Sequence, residues 1–186
     1  GNRKALAHWA FEQFDGDQMS GFRFHDKPGE VSFVDTSVFH GGKASLRFEN
    51  FGAHSHGHAR VMQEITVRPN RQYRVRCWVK SEDLAPVSAF KVQVYGPKSA
   101  IAPAQFSIPA TGDWQEVSLA FHSRQYADVK IYAGLWGGQA GKLWLDDFSI
   151  EETPLVNVLR RPGTPVVVTS DDGQIIYEEG RDFETV

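Results

Sequence analysis

GKLWLDDFSIEE, residues 141–152, is the stretch whose reading decides the fold. Successive side chains of a β-strand face opposite ways. The spacing therefore places Trp144, Asp146, Phe148 and Ile150 on one face and Leu145, Asp147 and Ser149 on the other. Phe148 and Ile150 read as core residues, which puts Asp146 at the sheltered end of their face. A buried carboxylate is costly and is tolerated where an opposite charge or a metal compensates it. The stretch WAFE, residues 9–12, supplies a second acid, Glu12, again beside aromatic strand residues and near the other end of the chain.

Working outward, period-two patterns recur along the chain. Ala44, Leu46 and Phe48 alternate with Ser45 and Arg47 after the His40–Lys43 turn, HGGK. Tyr73, Val75, Cys77 and Val79 form the apolar side of a long strand from Gln72, and its other side is Arg74, Arg76, Trp78 and Lys80. Val92 and Val94 point inward, with Lys91, Gln93 and Tyr95 outward. Val117, Leu119 and Phe121 repeat the pattern, as do Val129, Ile131 and Ala133, with Lys130 and Tyr132 facing out. Cations and aromatics where solvent ordinarily selects small polar residues mark the outward side as the working surface. The fold expected is all-β, a two-sheet antiparallel sandwich over residues 9–152. From Glu151 the composition shifts: prolines at 154, 162 and 165 precede a turn at Asp172-Gly173, so 153–186 reads as a linker and hairpin, or the start of a following domain.

Composition agrees. The 186 residues suffice for a sizeable core, and 12% aromatics with 17 glycines suit a strand-and-turn protein. The single cysteine, Cys77, falls on an apolar strand face and reads as a core thiol. A net charge of −3 argues against nucleic acid as partner, and no apolar run is long enough to span a membrane. No leader-like segment opens the sequence, so a secreted protein is expected to be processed.

The series WAFE, HGGKASLRF, ITVRPNRQYRVRCWVK, TGDWQEVSLAF and GKLWLDDFSI, in that order, resembles the jelly-roll carbohydrate-binding modules related to families four, nine, sixteen and twenty-two. The resemblance covers Trp9–Glu152. It implies a non-catalytic module of a secreted, periplasmic or cell-surface polysaccharide-degrading enzyme, with a polysaccharide or oligosaccharide as ligand and a glycoside hydrolase or lyase catalytic domain in the same polypeptide. It also implies a structural calcium held by the Glu12 and Asp146 carboxylates and the backbone carbonyls of Ala10, His40 and Lys43. Calcium takes six to eight hard oxygen ligands of this mixed kind. Asp147 is a neighbouring competitor for the same role.

A sugar ring stacks its C–H face on an aromatic ring, and its hydroxyls need planar polar partners. Trp78, Tyr95, Tyr132 and Trp136 are the candidate platform, and Arg74, Arg76, Gln93 and Lys130 the candidate polar partners. Trp136 has the alternative of capping the sandwich end, and Trp114 and Trp144 read as structural. The cations predict an anionic glycan, unless cross-strand acids such as Glu82 or Glu116 pair with them. His54, His56 and His58 could bind a transition metal, but the glycines around them favour a solvated loop. Two other classes stay open: a scaffold domain, whose outward face docks on a catalytic domain, and a jelly-roll polysaccharide lyase using Tyr132 with His122 or an arginine.

Overall fold

The computed structural model describes residues 5–9, 11–153 and 167–183, which fall into two compact units, 1–152 and 153–186. Thirteen strands build the first: β1 (Ala5–Trp9), β2 (Phe14–Asp15), β3 (Gln18–Met19), β4 (Arg23–Phe24), β5 (Ser32–Asp35), β6 (Ser45–Phe48), β7 (Ala59–Thr66), β8 (Gln72–Ala85), β9 (Phe90–Tyr95), β10 (Ala100–Gln105), β11 (Gly112–His122), β12 (Asp128–Leu135) and β13 (Ala140–Thr153). One sheet runs β11-β8-β13-β6-β5, with β1 also on β13, and the other runs β10-β9-β12-β7-β4. The protein is thus an antiparallel β-sandwich.

The alternation explains the core. Tyr73, Val75, Cys77 and Val79 from β8, with Val117 and Phe121 from β11, meet Val92 and Val94 from β9 and Val129, Ile131 and Ala133 from β12, all buried in one cluster. Burying a side chain of this size contributes roughly 1.5–3 kcal/mol. Burial also pushes the Cys77 thiol up to about 12, so it stays protonated in the core.

The strict alternation expected along β13 breaks. Leu143 and Leu145 lie opposite Phe48 and Leu46 in the core, and Phe148 and Ile150, three and five residues beyond Leu145, are buried in the same core. The parity change falls at Asp147, whose φ of 45° is left-handed, so the strand carries a bulge there. Trp144 therefore does not share a face with Phe148. It faces away from the core, where its Nε1 donates to Asp35 Oδ2 at 2.9 Å. Asp146 shares that outer side and is still fully buried.

A second correction concerns the working surface. β8 belongs to the six-stranded sheet, while β9 and β12 belong to the five-stranded one. The outer faces of a sandwich point away from each other, so Arg74, Arg76 and Trp78 lie on the side opposite Gln93, Tyr95, Lys130 and Tyr132.

In the second unit, β14 (Val168–Thr169) pairs with β15 (Ile176–Tyr177) around a turn in which Asp172 Oδ1 accepts the Ser170 hydroxyl at 2.6 Å and the Gln174 N–H at 3.1 Å. Val167, Ile175 and Ile176 are exposed. The expected linker, 154–166, lies outside the described residues.

Candidate functional site

The outer face of the five-stranded sheet carries a cleft of about 350 Å³. Its centre is β12, where Tyr132 sits between Gln93 of β9 and Met62 of β7, and Lys130 between Tyr95 and Glu64. Met62 is buried beneath this face. The Tyr95 and Tyr132 rings are 5.5 Å apart at 80°, and the Tyr95 hydroxyl donates to Gln93 Oε1 at 3.1 Å. His25, just beyond β4, stands edge-on to Tyr132 at 5.3 Å. Arg60 of β7 lays its guanidinium over the Trp136 ring at 4.8 Å. Gly134 makes that end possible: at φ 136° its missing Cβ lets β12 approach the Ala59 carbonyl.

The electrostatics are one-sided. Burial lowers the Arg60 guanidinium, and burial with the charges of Arg60 and Lys130 lowers His25. Asp26 lies alongside, its Oδ1 accepting the Ser32 hydroxyl at 2.6 Å and its Oδ2 the Arg60 N–H at 2.9 Å. Burial still outweighs these bonds and raises Asp26 to about 6. Among the described residues, no carboxylate lines the cleft, so the paired acids of a glycosidase are not found among them.

Tyr95, Gln93, Tyr132, Lys130 and Trp136, read as candidates from the sequence, thus converge on one cleft. Arg74, Arg76 and Trp78 do not join them. On the far sheet Arg76 Nη2 pairs with Glu151 at 2.9 Å, and Trp78 is stacked under His40, ring centroids 3.9 Å apart, with Trp114 edge-on to His40 at 5.8 Å. Trp78 is an anchor for the HGGK turn.

Arg60 and His25 were missed. Arg60 was legible, because Ala59, Val61, Gln63 and Ile65 alternate inward and leave Arg60 and Met62 outward. His25 follows a two-residue strand too short to show any period.

The HGGK turn gathers the acids from both ends of the first unit. Asp146 Oδ2 accepts the N–H groups of His40 at 2.7 Å and Gly41 at 3.1 Å, its Oδ1 accepts the Asp147 N–H at 2.7 Å, and Glu12 Oε1 accepts the Lys43 N–H at 2.8 Å. Asp147 Oδ2 contacts His40 Nδ1 at 2.7 Å. Gly42, at φ 66°, seats the Glu12 carboxylate where a Cβ would stand. Burial raises Asp146 despite its three N–H donors, with the Asp147 charge adding to the effect. A buried carboxylate and a second acid seated against Gly42 are hard oxygen donors, and in that respect they fit calcium. Ala10, the remaining expected ligand, lies outside the described residues.

The His54, His56 and His58 rings stand 5.3–6.1 Å apart in mutual contact. His54 Nδ1 accepts the N–H groups of His56 and His58, both at 3.3 Å. Among the described residues no group of three His, Cys, Asp or Glu side chains is arranged to hold a metal.

A two-sheet antiparallel sandwich with an aromatic cleft on strand-borne side chains defines a class of rigid ligand-binding module. The chain belongs to the carbohydrate binding domain family, which it matches over residues 8–137. Among solved structures it is similar to one described as CBM4 structure and function, at 15% identity and TM-score 0.56, covering 77% of this chain and 97% of that one. It is also similar to the CBM22-1 xylan-binding domain of Paenibacillus barcinonensis Xyn10C, at 17% identity and TM-score 0.53, covering 81% and 95%. A third likeness is to an arabinose-bound MgGH51 α-L-arabinofuranosidase, at 14% identity and TM-score 0.58, covering 88% of this chain and 29% of the enzyme. At these identities the likeness is one of fold. No curated protein matches the sequence.

Proposed function

We propose that this chain is the non-catalytic carbohydrate-binding module of a secreted or cell-surface polysaccharide-degrading enzyme, and that it holds its glycan in the cleft of the five-stranded sheet. The observation that carries the reading is the placement of Tyr95, Tyr132 and Gln93 on two adjacent strands, with their rings and amide turned to one cleft. Aromatic rings offer the sugar C–H faces an apolar surface, and strand mounting means little side-chain ordering is needed on binding. A catalytic domain in the same polypeptide is in keeping with the arabinofuranosidase, of which a fold of this kind makes up 29%.

Affinity electrophoresis against neutral, uronic and sulfated polysaccharides tests the proposal. Retardation by at least one glycan is expected, with Tyr132→Ala weakening it by roughly tenfold or more, as loss of an aromatic contact worth about 1.5 kcal/mol implies. Trp78→Ala, on the other sheet, should leave it intact. Retardation by none would favour the scaffold reading.

We also propose a structural calcium, held by Glu12 and Asp146 with the carbonyls of His40 and Lys43. Bound there, the ion supplies the positive charge that offsets the buried Asp146 carboxylate. A chelator should then lower the melting temperature of the full chain, and added calcium should restore it. An unchanged melting curve would remove the ion from the account.

A further inference from the structure

The cations of the two outer faces are treated differently. On the six-stranded sheet Arg76 is paired with Glu151 at 2.9 Å, Lys80 with Asp113 at 3.0 Å, Lys142 with Glu82 at 2.9 Å and Arg47 with Asp35 at 2.7 Å, and of its outward cations named above Arg74 alone has no ion pair among the described residues. On the five-stranded sheet, Arg60, Lys91 and Lys130 have no ion pair within 4.0 Å among the described residues. The nearby acids do not change this. Glu64 faces Lys130 across the ladder but is exposed and unpaired with it, and the Asp26 oxygens are taken by Ser32 and by the main-chain N–H of Arg60.

Arg60 is the most constrained of the three. Its guanidinium is held against Trp136, and its Nε is buried with no acceptor among the described residues. A buried donor left without an acceptor costs about 1–3 kcal/mol; Arg47 Nε on the other sheet is also without one, but Arg47 has Asp35 as a counter-ion at 2.7 Å and Arg60 has none among the described residues. Guanidinium geometry matches a carboxylate or a sulfate through two parallel N–H bonds. His25 and Lys130 flank the same space, and Tyr132 lies between them.

Resting on the reading of this cleft as the carbohydrate site, we infer that it contains an anion subsite, formed by Arg60 with His25 and Lys130, that takes the charged substituent of an acidic polysaccharide. The sugar ring lies against the tyrosines while its carboxylate or sulfate reaches the guanidinium. An acidic glycan brings a counter-charge to Arg60 and Lys130, whereas a neutral one brings none.

The test uses the full chain and matched probes: polygalacturonate against its methyl ester, and a sulfated galactan against the same galactan desulfated. Affinity is measured at low and high salt for wild type, Arg60→Gln, Lys130→Gln and Tyr132→Ala, with folding checked by thermal melts. The expected result is tighter binding of a charged probe than of its neutral counterpart. That preference should shrink with salt and fall by roughly tenfold or more in Arg60→Gln, as loss of a charge-assisted bond of about 1.5–3 kcal/mol implies. Whether the carboxylate or the sulfate pair shows the preference identifies the source of the charge. Lys130→Gln changes only an exposed side chain, so its weakening of the charged probe alone supports the subsite even if Arg60→Gln folds poorly. Equal binding of charged and neutral probes, lost in Tyr132→Ala, would overturn the subsite and leave the carbohydrate site standing. Binding of no probe, charged or neutral, would overturn both.

Discussion

Asp26 shows how one carboxyl can set the pH response of the site's edge. Its pKa, about 6 in the folded protein against an ordinary 3.8, means that the folded state binds the proton more tightly. The stabilisation from that proton is complete below pH 3.8 and is lost as the pH rises to about 6. The difference is worth about 3 kcal/mol. Asp26→Asn mimics the protonated side chain, and the Ser32 hydroxyl can turn to accept from its amide. Urea denaturation of the two proteins should therefore give matching stabilities near pH 4 and a growing advantage for Asp26→Asn up to pH 6, level above it. A difference that does not change with pH would show that Asp26 titrates normally.

The HGGK turn and the strands it joins are the element on which the sandwich closes. Glu12 from the beginning of the first unit and Asp146 from β13 both bond to its main chain. A side chain at Gly42 would be strained at φ 66° and would collide with the Glu12 carboxylate. Gly42→Ala should thus destabilise the protein by about 1–3 kcal/mol, read as a lower melting temperature, without reducing glycan affinity at temperatures where it stays folded. The strands themselves were readable because solvent on one side and a core on the other impose a period of two, as Val92 and Val94 or Val129 and Ile131 illustrate. That period says only whether a residue faces in or out. It does not say which sheet a strand joins, which depends on long-range pairing, so Trp78 and Tyr132 both read as outward although they point to opposite sides of the molecule. The bulge at Asp147 was hidden for a related reason. An aspartate does not require a positive φ, and what fixes this one is the turn packed beside it.

At the scale of the whole molecule, the described residues that form the buried core and the cleft belong to the first unit. The hairpin 167–183 leaves Val167, Ile175 and Ile176 exposed and buries too little to fold alone. A chain ending at residue 153, which keeps β13 whole, should retain the glycan affinity and melt within about 3 °C of the full chain, equivalent to roughly 1 kcal/mol in a domain of this size. A collapse of the melting transition would assign residues 154–186 a share in the sandwich's stability. The angle between the two tyrosines bears on the shape of the partner. Rings 80° apart cannot both lie flat on successive units of a straight, ribbon-like chain such as one lifted from a crystalline fibre. A ligand in contact with both ring faces must therefore turn between the one and the other.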